Sequence, residues 1–261
     1  MALQRLLSQL RDGPGGNDAM VDQLKHHVRL SEKARNSPAK HVHPPSHHSF
    51  RAQVVAAFRA VDRGQFVDDE DSKEAIYMDM PFRHGRLHLS APSIYAAALE
   101  ALELEEGHSV LNVGSGTGYM ASLISHIAGR RAIHVGIELH QELVDHARQK
   151  LDGLGHTHVQ LHCGSCFALD PEASMRFERI YVGAGASQRS AEVLFRMLHV
   201  GGIIVGPFSG PDGSQRLLKA QRISESHFQV GTQFRAILPN SAQFSEAPAS
   251  PATGEGAALG A

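Results

Sequence analysis

The sequence predicts a doubly wound α/β fold, with a mostly parallel sheet and an antiparallel C-terminal edge. From residue 109 onward, short β-branched runs alternate with helical segments, which is typical of a parallel sheet covered by helices. A glycine-rich turn at 114–118 joins the first of these runs to the first helix. After Pro207 the helices stop, and two extended runs, 215–223 and 228–238, predict an antiparallel hairpin at the sheet edge.

Each element has its own local signal. Strand 109–113 carries Val-Leu-Asn-Val directly before the glycine turn, and helix 140–151 has Leu143, Val144, Ala147 and Leu151 on one face. The remaining predicted strands are 132–137, 159–163, 179–182 and 202–205. The remaining predicted helices of this region are 119–127 and 191–198.

The N-terminal part and the tail differ in composition from this region. We expect residues 1–49 to be a helical and His/Pro-rich segment that is partly disordered, with a short helix over 20–30. The folded domain is predicted for 50–243, beginning with a helix over 50–61. Residues 244–261 are rich in Ala, Pro and Gly, and are predicted to be a disordered tail.

The composition excludes several classes of protein. Lys plus Arg number 25 against 27 Asp plus Glu, so the chain lacks the basic excess expected for nucleic-acid or anionic-membrane partners. No apolar stretch approaches the roughly 20 residues that a membrane span needs. Two cysteines do not make a disulfide framework, and we expect a cytoplasmic protein.

The glycine turn predicts a nucleotide site. Gly114, Gly116 and Gly118 lie between a strand and a helix, where the first N–H groups of the helix face a ligand. Glu138 ends the next predicted strand, in position to accept hydrogen bonds from ribose hydroxyls. The spacing is G-x-G-x-G rather than the dinucleotide spacing G-x-G-x-x-G, which favours S-adenosylmethionine over NAD. The alternative is that these glycines only allow tight packing of strand and helix.

Several ordered motifs resemble one known family. Tyr-Met-Asp-Met-Pro at 77–81, Leu-Ser-Ala-Pro at 89–92, Val-Gly-Ser-Gly-Thr-Gly at 113–118, Gly-Ala-Gly-Ala at 183–186 and Gly-Gly at 201–202 are similar to protein-L-isoaspartate O-methyltransferase, most of all its domain-containing branch. The resemblance implies a class I S-adenosylmethionine-dependent methyltransferase, Rossmann-like in fold. It implies methylation of the α-carboxyl of L-isoaspartyl residues in damaged proteins, a repair route in which the ester collapses to succinimide.

The resemblance also assigns the site. Ser90 becomes the catalytic hydroxyl, Glu138 holds the ribose, and Ser241 lines the far side of the site. The full set of implied cofactor-binding residues is Leu87, His88, Leu89, Ser90, Asn112, Gly114, Ser115, Gly116, Glu138, Leu139, Ser165, Cys166 and Ser241. Ser90 has another interpretation, since Ser followed by Pro is common where a helix starts.

This sequence departs from the family pattern at four places, one of which is Ile-Leu-Pro-Asn at 237–240 in place of the usual Tyr/Phe-Val-Pro-Leu. Asn112 stands where the family has Asp or Glu, Ser165-Cys166 stands where it has Asp-Gly, and Tyr95 stands where it has His. Loss of two carboxylates removes two charge-assisted contacts to the cofactor. An alternative function is therefore a catalytically weak cofactor-binding module that recognises isoaspartyl proteins as an adaptor, and a third is a small-molecule methyltransferase.

Two further patterns do not change this interpretation. Cys163 and Cys166 have C-x-x-C spacing but no second pair to complete a zinc site, so we interpret them as structural or cofactor-lining, with redox sensing as the alternative. The histidines at 41, 43, 47 and 48 lie in a Pro-rich loop. We predict no metal site.

Overall fold

A computed structural model of the chain describes residues 16–24, 47–68, 73–170, 175–209 and 215–232. The predicted tail at 244–261 and the His/Pro-rich stretch up to residue 46 lie outside these residues. So do Ser241 and the end of the predicted hairpin beyond residue 232. The predicted division at residues 49 and 243 stays a prediction.

The described elements follow the predicted order. The helices are α1 at 17–24, α2 (His47–Ala60), α3 (Lys73–Ile76), α4 (Pro92–Leu102), α5 (Tyr119–Ala128), α6 (Gln141–Gly153) and α7 (Gln188–Arg196), with 3₁₀ turns at Arg63–Phe66 and Cys166–Ala168. The strands are β1 (Phe82–His84), β2 (Leu87–Leu89), β3 (Val110–Val113), β4 (His134–Glu138), β5 (Val159–Cys163), β6 (Phe177–Val182), β7 (Leu198–Ser209), β8 (Gln215–Arg222) and β9 (Phe228–Thr232).

The main sheet confirms the predicted fold class. Its strand order is β5-β4-β3-β6-β7-β8-β9. The pairs from β5 through β7 are parallel, whereas β7 with β8 and β8 with β9 are antiparallel. The chain leaves β3 toward β4 on one side and later returns to β6 on the other. Ligands of open α/β sheets bind at the carboxyl ends of strands that flank such a reversal.

Several boundaries differ from the prediction, most clearly those of α7 and β7. Helix α7 begins three residues earlier than expected, because the Ser187 and Ser190 side chains form a reciprocal capping box at its start. It ends at Arg196, and β7 then begins at Leu198, so the strand is much longer than 202–205. Its extra residues pair irregularly with β6, with a register shift between Phe177 and Arg179. The short antiparallel pair β1–β2 is absent from the predicted elements.

Apolar side chains pack on both faces of the sheet. On one face, α1, α2, α4 and α5 form a large cluster that includes Met20, Phe58, Leu99 and Leu123. On the other face, α7 packs over β3, β6 and β7. Across the described residues, no helix combines the length and apolarity needed to cross a bilayer.

Candidate functional site

The carboxyl ends of β3, β4 and β5 are tied together by backbone hydrogen bonds. The amides of Gly114 and Ser115 both donate to the Ile137 carbonyl, at 2.7 and 3.1 Å, and the Gly164 amide donates to the Glu138 carbonyl at 2.8 Å. Gly114, Gly116 and Gly118 have φ angles of 77°, 52° and 87°. This left-handed backbone disfavours other residues, and it forms a concave loop at the start of α5.

The Glu138 carboxylate lies directly against this loop. Oε2 accepts from the Gly116 amide at 2.9 Å, and Oε1 accepts from the His140 amide at 3.2 Å. The residue is 8% exposed. Each carboxylate oxygen can accept two hydrogen bonds, so each oxygen has acceptor capacity left after these contacts. The predicted position of Glu138 at the end of β4 is correct, and its carboxylate is held in a fixed orientation.

Asn112 and Ser115 face the interior beneath the loop. The Asn112 side chain is fully buried, and neither its amide nitrogen nor its amide oxygen has a hydrogen-bond partner among the described residues. Buried amides are normally paired, so this unpaired group marks a place for a ligand or water. Ser115 Oγ donates to the Asn112 carbonyl at 3.3 Å. The Ser115 hydroxyl is therefore used within the loop, and the residue contributes to the site through its backbone.

Strand β2 runs past the glycine loop. A Cβ atom placed on Gly116 would lie 3.9 Å from the His88 carbonyl oxygen. Leu87 and His88 are half-buried, whereas the Leu89 side chain is fully buried in the core cluster. Leu89 can therefore reach a cofactor only through its backbone. Burial, followed by the charge of Arg83, lowers the pKa of His88, so this imidazole is neutral at neutral pH.

The β1–β2 turn is held on the start of α6. Arg86 forms an ion pair with Glu142 at 2.6 Å and lies 3.3 Å from the His140 ring. Both charged side chains are exposed, so the pair adds little stability. The ion pair instead positions the β1–β2 turn beside the residues that follow Glu138.

Ser90 lies between β2 and α4 and is half-buried. The N-cap of α4 is Ala91, which makes no side-chain cap, and the Ser93 amide donates instead to Asp79 Oδ1 at 2.8 Å. The interpretation of Ser90 as a helix-start residue is therefore wrong. Its backbone amide donates to the Tyr95 hydroxyl oxygen at 3.1 Å. Ser90 directly follows β2, whose His88 carbonyl lies close to Gly116, so Ser90 lies near the glycine loop.

The Ser165-Cys166 pair follows β5 on the far side of Glu138. Ser165 Oγ accepts from the Phe167 amide at 3.3 Å and caps the short 3₁₀ turn. Cys166 is buried, and burial raises the pKa of its thiol. Cys163 Sγ donates to the Leu139 carbonyl at 3.5 Å, which ties Leu139 to this loop. Both cysteines are free thiols.

Sequence reasoning missed the roles of Asp79 and Arg63 near Ser90, and it named Tyr95 without predicting its contact. Asp79 caps α4, the buried Arg63 donates from Nε to the Ile76 carbonyl at 2.7 Å, and Tyr95 accepts from Ser90. Asp79 and Tyr95 lie in or next to quoted motifs, but the pattern alone does not say which groups they contact. Within the described residues, no group of three or more His, Cys, Asp or Glu side chains is arranged to hold a metal ion.

Comparisons with known proteins agree with this arrangement. The family model for protein-L-isoaspartate(D-aspartate) O-methyltransferase matches residues 46–237. A protein-L-isoaspartate O-methyltransferase of Ignicoccus hospitalis is 35% identical over 178 residues, covering 68% of this chain and 83% of the relative. One from Rhodopseudomonas palustris strain BisB5 is 34% identical over 171 residues, covering 65% of this chain and 76% of the relative.

Solved structures show the same fold. A Plasmodium falciparum structure in complex with S-adenosyl-L-homocysteine aligns with a TM-score of 0.64 at 19% identity, covering 84% of this chain and 95% of that one. A structure of a protein-L-isoaspartate O-methyltransferase aligns with a TM-score of 0.59 at 24% identity, covering 67% of this chain and 56% of that one.

Proposed function

Because this chain belongs to the protein-L-isoaspartate(D-aspartate) O-methyltransferase family, we propose that it methylates the α-carboxyl of L-isoaspartyl residues in damaged proteins, using S-adenosylmethionine. The observation that carries this proposal is the position of Ser90, directly after the strand β2 that passes the glycine loop. The chain is an enzyme of protein repair. Its substrates are isoaspartyl proteins or peptides, and we place it in the cytoplasm, where its two free thiols stay reduced.

The residues at the sheet edge fit this cofactor. The glycines of the loop 114–118 carry no side chain, so a ligand can approach the backbone closely at the start of α5. The amides of Gly114, Ser115 and Gly116 already donate to Ile137 and Glu138, and Glu138 keeps acceptor capacity for two hydroxyl groups. Within the part of the chain that the structure describes, the buried Asn112 amide has unpaired donors and an unpaired acceptor beneath the loop. We assign Gly114, Ser115, Gly116 and Glu138 to the cofactor, the first three through the backbone.

The remaining residues of the proposed cofactor site surround the glycine loop and Glu138. Leu87, His88 and Leu89 would border the cofactor from β2, and Leu139, Ser165 and Cys166 from the side of β5. Asn112 would contact it, directly or through water, from below. Ser241 remains a proposed member of the far wall and lies outside the described residues.

For methyl transfer, the protein needs mainly to bind the two substrates and to orient them. S-adenosylmethionine supplies a methyl group that is already activated on a sulfonium centre. The isoaspartyl α-carboxyl is ionised at neutral pH, so no general base is needed. We propose that the Ser90 hydroxyl donates a hydrogen bond to one carboxylate oxygen, which orients the other oxygen for attack.

Transfer of labelled methyl groups tests the proposal. The full chain is incubated with methyl-labelled S-adenosylmethionine and either an isoaspartyl peptide or the sequence-matched aspartyl peptide. We expect base-labile label on the isoaspartyl peptide alone. Binding of cofactor and peptide without any transfer would contradict the enzyme assignment and support the adaptor alternative.

A pair of serine variants tests the role of Ser90. Ser90→Ala is expected to lower kcat/KM about 100-fold, the effect of removing a hydrogen-bond donor at a reacting group. Ser93→Ala is the matched control, because only the Ser93 backbone amide has an assigned contact. Full activity in Ser90→Ala would remove Ser90 from the catalytic site.

A further inference from the structure

The buried Tyr95 side chain contacts the backbone of Ser90. It lies at the end of the first turn of α4, and its hydroxyl oxygen accepts from the Ser90 amide at 3.1 Å. The tyrosine is 7% exposed, so water competes little for this bond. The backbone of Ser90, from which its hydroxyl projects, is thus held by one phenol.

The buried Arg63 guanidinium lies behind this phenol. It is 5.9 Å from the centre of the Tyr95 ring and 5.5 Å from the centre of the Tyr119 ring. Arg63 is fully buried, and its Nη1 has no hydrogen-bond partner among the described residues. The two aromatic faces therefore supply part of the stabilisation that a carboxylate would otherwise give.

The protonation state of Tyr95 follows from these neighbours. Burial raises the pKa of the phenol, whereas the charge of Arg63 and the hydrogen bond from the Ser90 amide lower it, and the net shift is upward. The phenol therefore keeps its proton at neutral pH. A neutral phenol can accept from the Ser90 amide and also donate its own O–H to the Ser90 oxygen.

We propose that Tyr95 is a positioning residue for methyl transfer, which holds Ser90 so that the serine O–H donates to the substrate carboxylate. This inference rests on the proposed function. Tyr95 touches neither the substrate nor the methyl donor, and it acts through Ser90. The Ser90 amide donates to the phenol oxygen, and this contact fixes the backbone from which the serine O–H reaches the carboxylate.

A double-mutant cycle on Ser90 and Tyr95 tests the inference. Tyr95→Phe keeps the ring and removes the hydroxyl, and we expect kcat/KM for an isoaspartyl peptide to fall about tenfold. In the Ser90→Ala background, the same change is expected to have no further effect. Tyr119→Phe is the matched control: Tyr119 packs edge-to-face on Tyr95 at 5.4 Å, and its hydroxyl has no hydrogen-bond partner among the described residues. We expect it to retain activity within about twofold.

Binding measurements separate this inference from the proposed function. Calorimetry gives the Kd of the isoaspartyl peptide in the presence of S-adenosylhomocysteine, and the Kd of S-adenosylhomocysteine itself. Tyr95→Phe should weaken peptide binding only when Ser90 is present, and should leave the nucleotide Kd unchanged. Equal losses in the wild-type and Ser90→Ala backgrounds, or an equal loss in Tyr119→Phe, would overturn the role of Tyr95. If the wild type binds peptide but transfers no methyl group, the proposed function fails, and the peptide Kd values still decide the role of Tyr95.

Discussion

Replacing Glu138 by Gln removes one charge from the sheet edge with little change in shape. In the wild type, one carboxylate oxygen accepts from Gly116 and the other from His140. The Gln side chain has one oxygen and one NH₂ group, so a donor must face one of these amides. Ribose hydroxyls would also lose a charged acceptor. The substitution thus acts on the loop and on the ligand together.

The expected size of the effect follows from these contacts. Hydrogen bonds to charged groups contribute about 1.5 to 3 kcal/mol each. Weakening the ribose contacts by about 2 to 3 kcal/mol corresponds to a roughly 30- to 150-fold higher Kd for S-adenosylhomocysteine. Isothermal titration calorimetry measures this change, and thermal unfolding without ligand reports any effect of the substitution on the loop itself.

Glu142→Gln provides the control for this experiment. Glu142 lies four residues further on, is 61% exposed along its side chain, and pairs with Arg86. Neutralising it should change the Kd less than about twofold, because exposed ion pairs are weak. An unchanged Kd in Glu138→Gln, with the fold intact, would show that Glu138 does not contact the cofactor.

Three further predictions concern the surroundings of the site. Burial, then the nearby His158 and His156, lowers the pKa of His134 to about 3, so below pH 6.5 the unfolded chain takes up a proton that the folded chain does not. The free energy of unfolding should therefore fall as the pH falls, and this residue should account for a loss of about 2 kcal/mol at pH 5. Urea titrations of the wild type and His134→Gln at pH 7.5 and 5 should show that the stability of the variant depends less on pH. An equal pH dependence of stability in both proteins would contradict the lowered pKa. Ser165→Asp keeps an N-cap side chain and adds a carboxylate on the adenine side of the site, so calorimetry should show about tenfold tighter binding of S-adenosylhomocysteine. Unchanged or weaker binding would contradict a contact between residue 165 and the cofactor. Asp79→Ala removes the acceptor for the Ser93 amide, and chemical denaturation should show a loss of about 1 kcal/mol; no loss would mean that water caps α4 equally well.

Much of the sheet could be predicted from the sequence, because buried parallel strands have continuous apolar runs with glycine turns at their ends. The predicted strand 159–163 matches β5, and 109–113 differs from β3 by one residue. The hairpin β1–β2 could not be predicted in this way, since strands of three residues carry too little pattern to identify. Helix α7 was misplaced because its start depends on the Ser187–Ser190 capping box rather than on its apolar positions.

The site was predictable where one motif carries the geometry. The loop 114–118 and Glu138 belong to one strand-turn-helix-strand unit, so their meeting follows from local order. The contact of Tyr95 with Ser90 depends on how α4 leaves β2, and the burial of Arg63 depends on packing between distant helices. Such contacts arise from tertiary packing and leave no signal at fixed spacing.

The most direct measurement locates the transferred methyl group. After incubation of the full chain with S-adenosylmethionine and an isoaspartyl peptide, tandem mass spectrometry identifies the methylated carboxyl. We predict a methyl ester at the α-carboxyl of the isoaspartyl residue, lost in base with formation of the succinimide, absent from the aspartyl peptide and strongly reduced in reactions with Ser90→Ala. A methyl group on another carboxyl, or equal methylation of both peptides, would contradict this function.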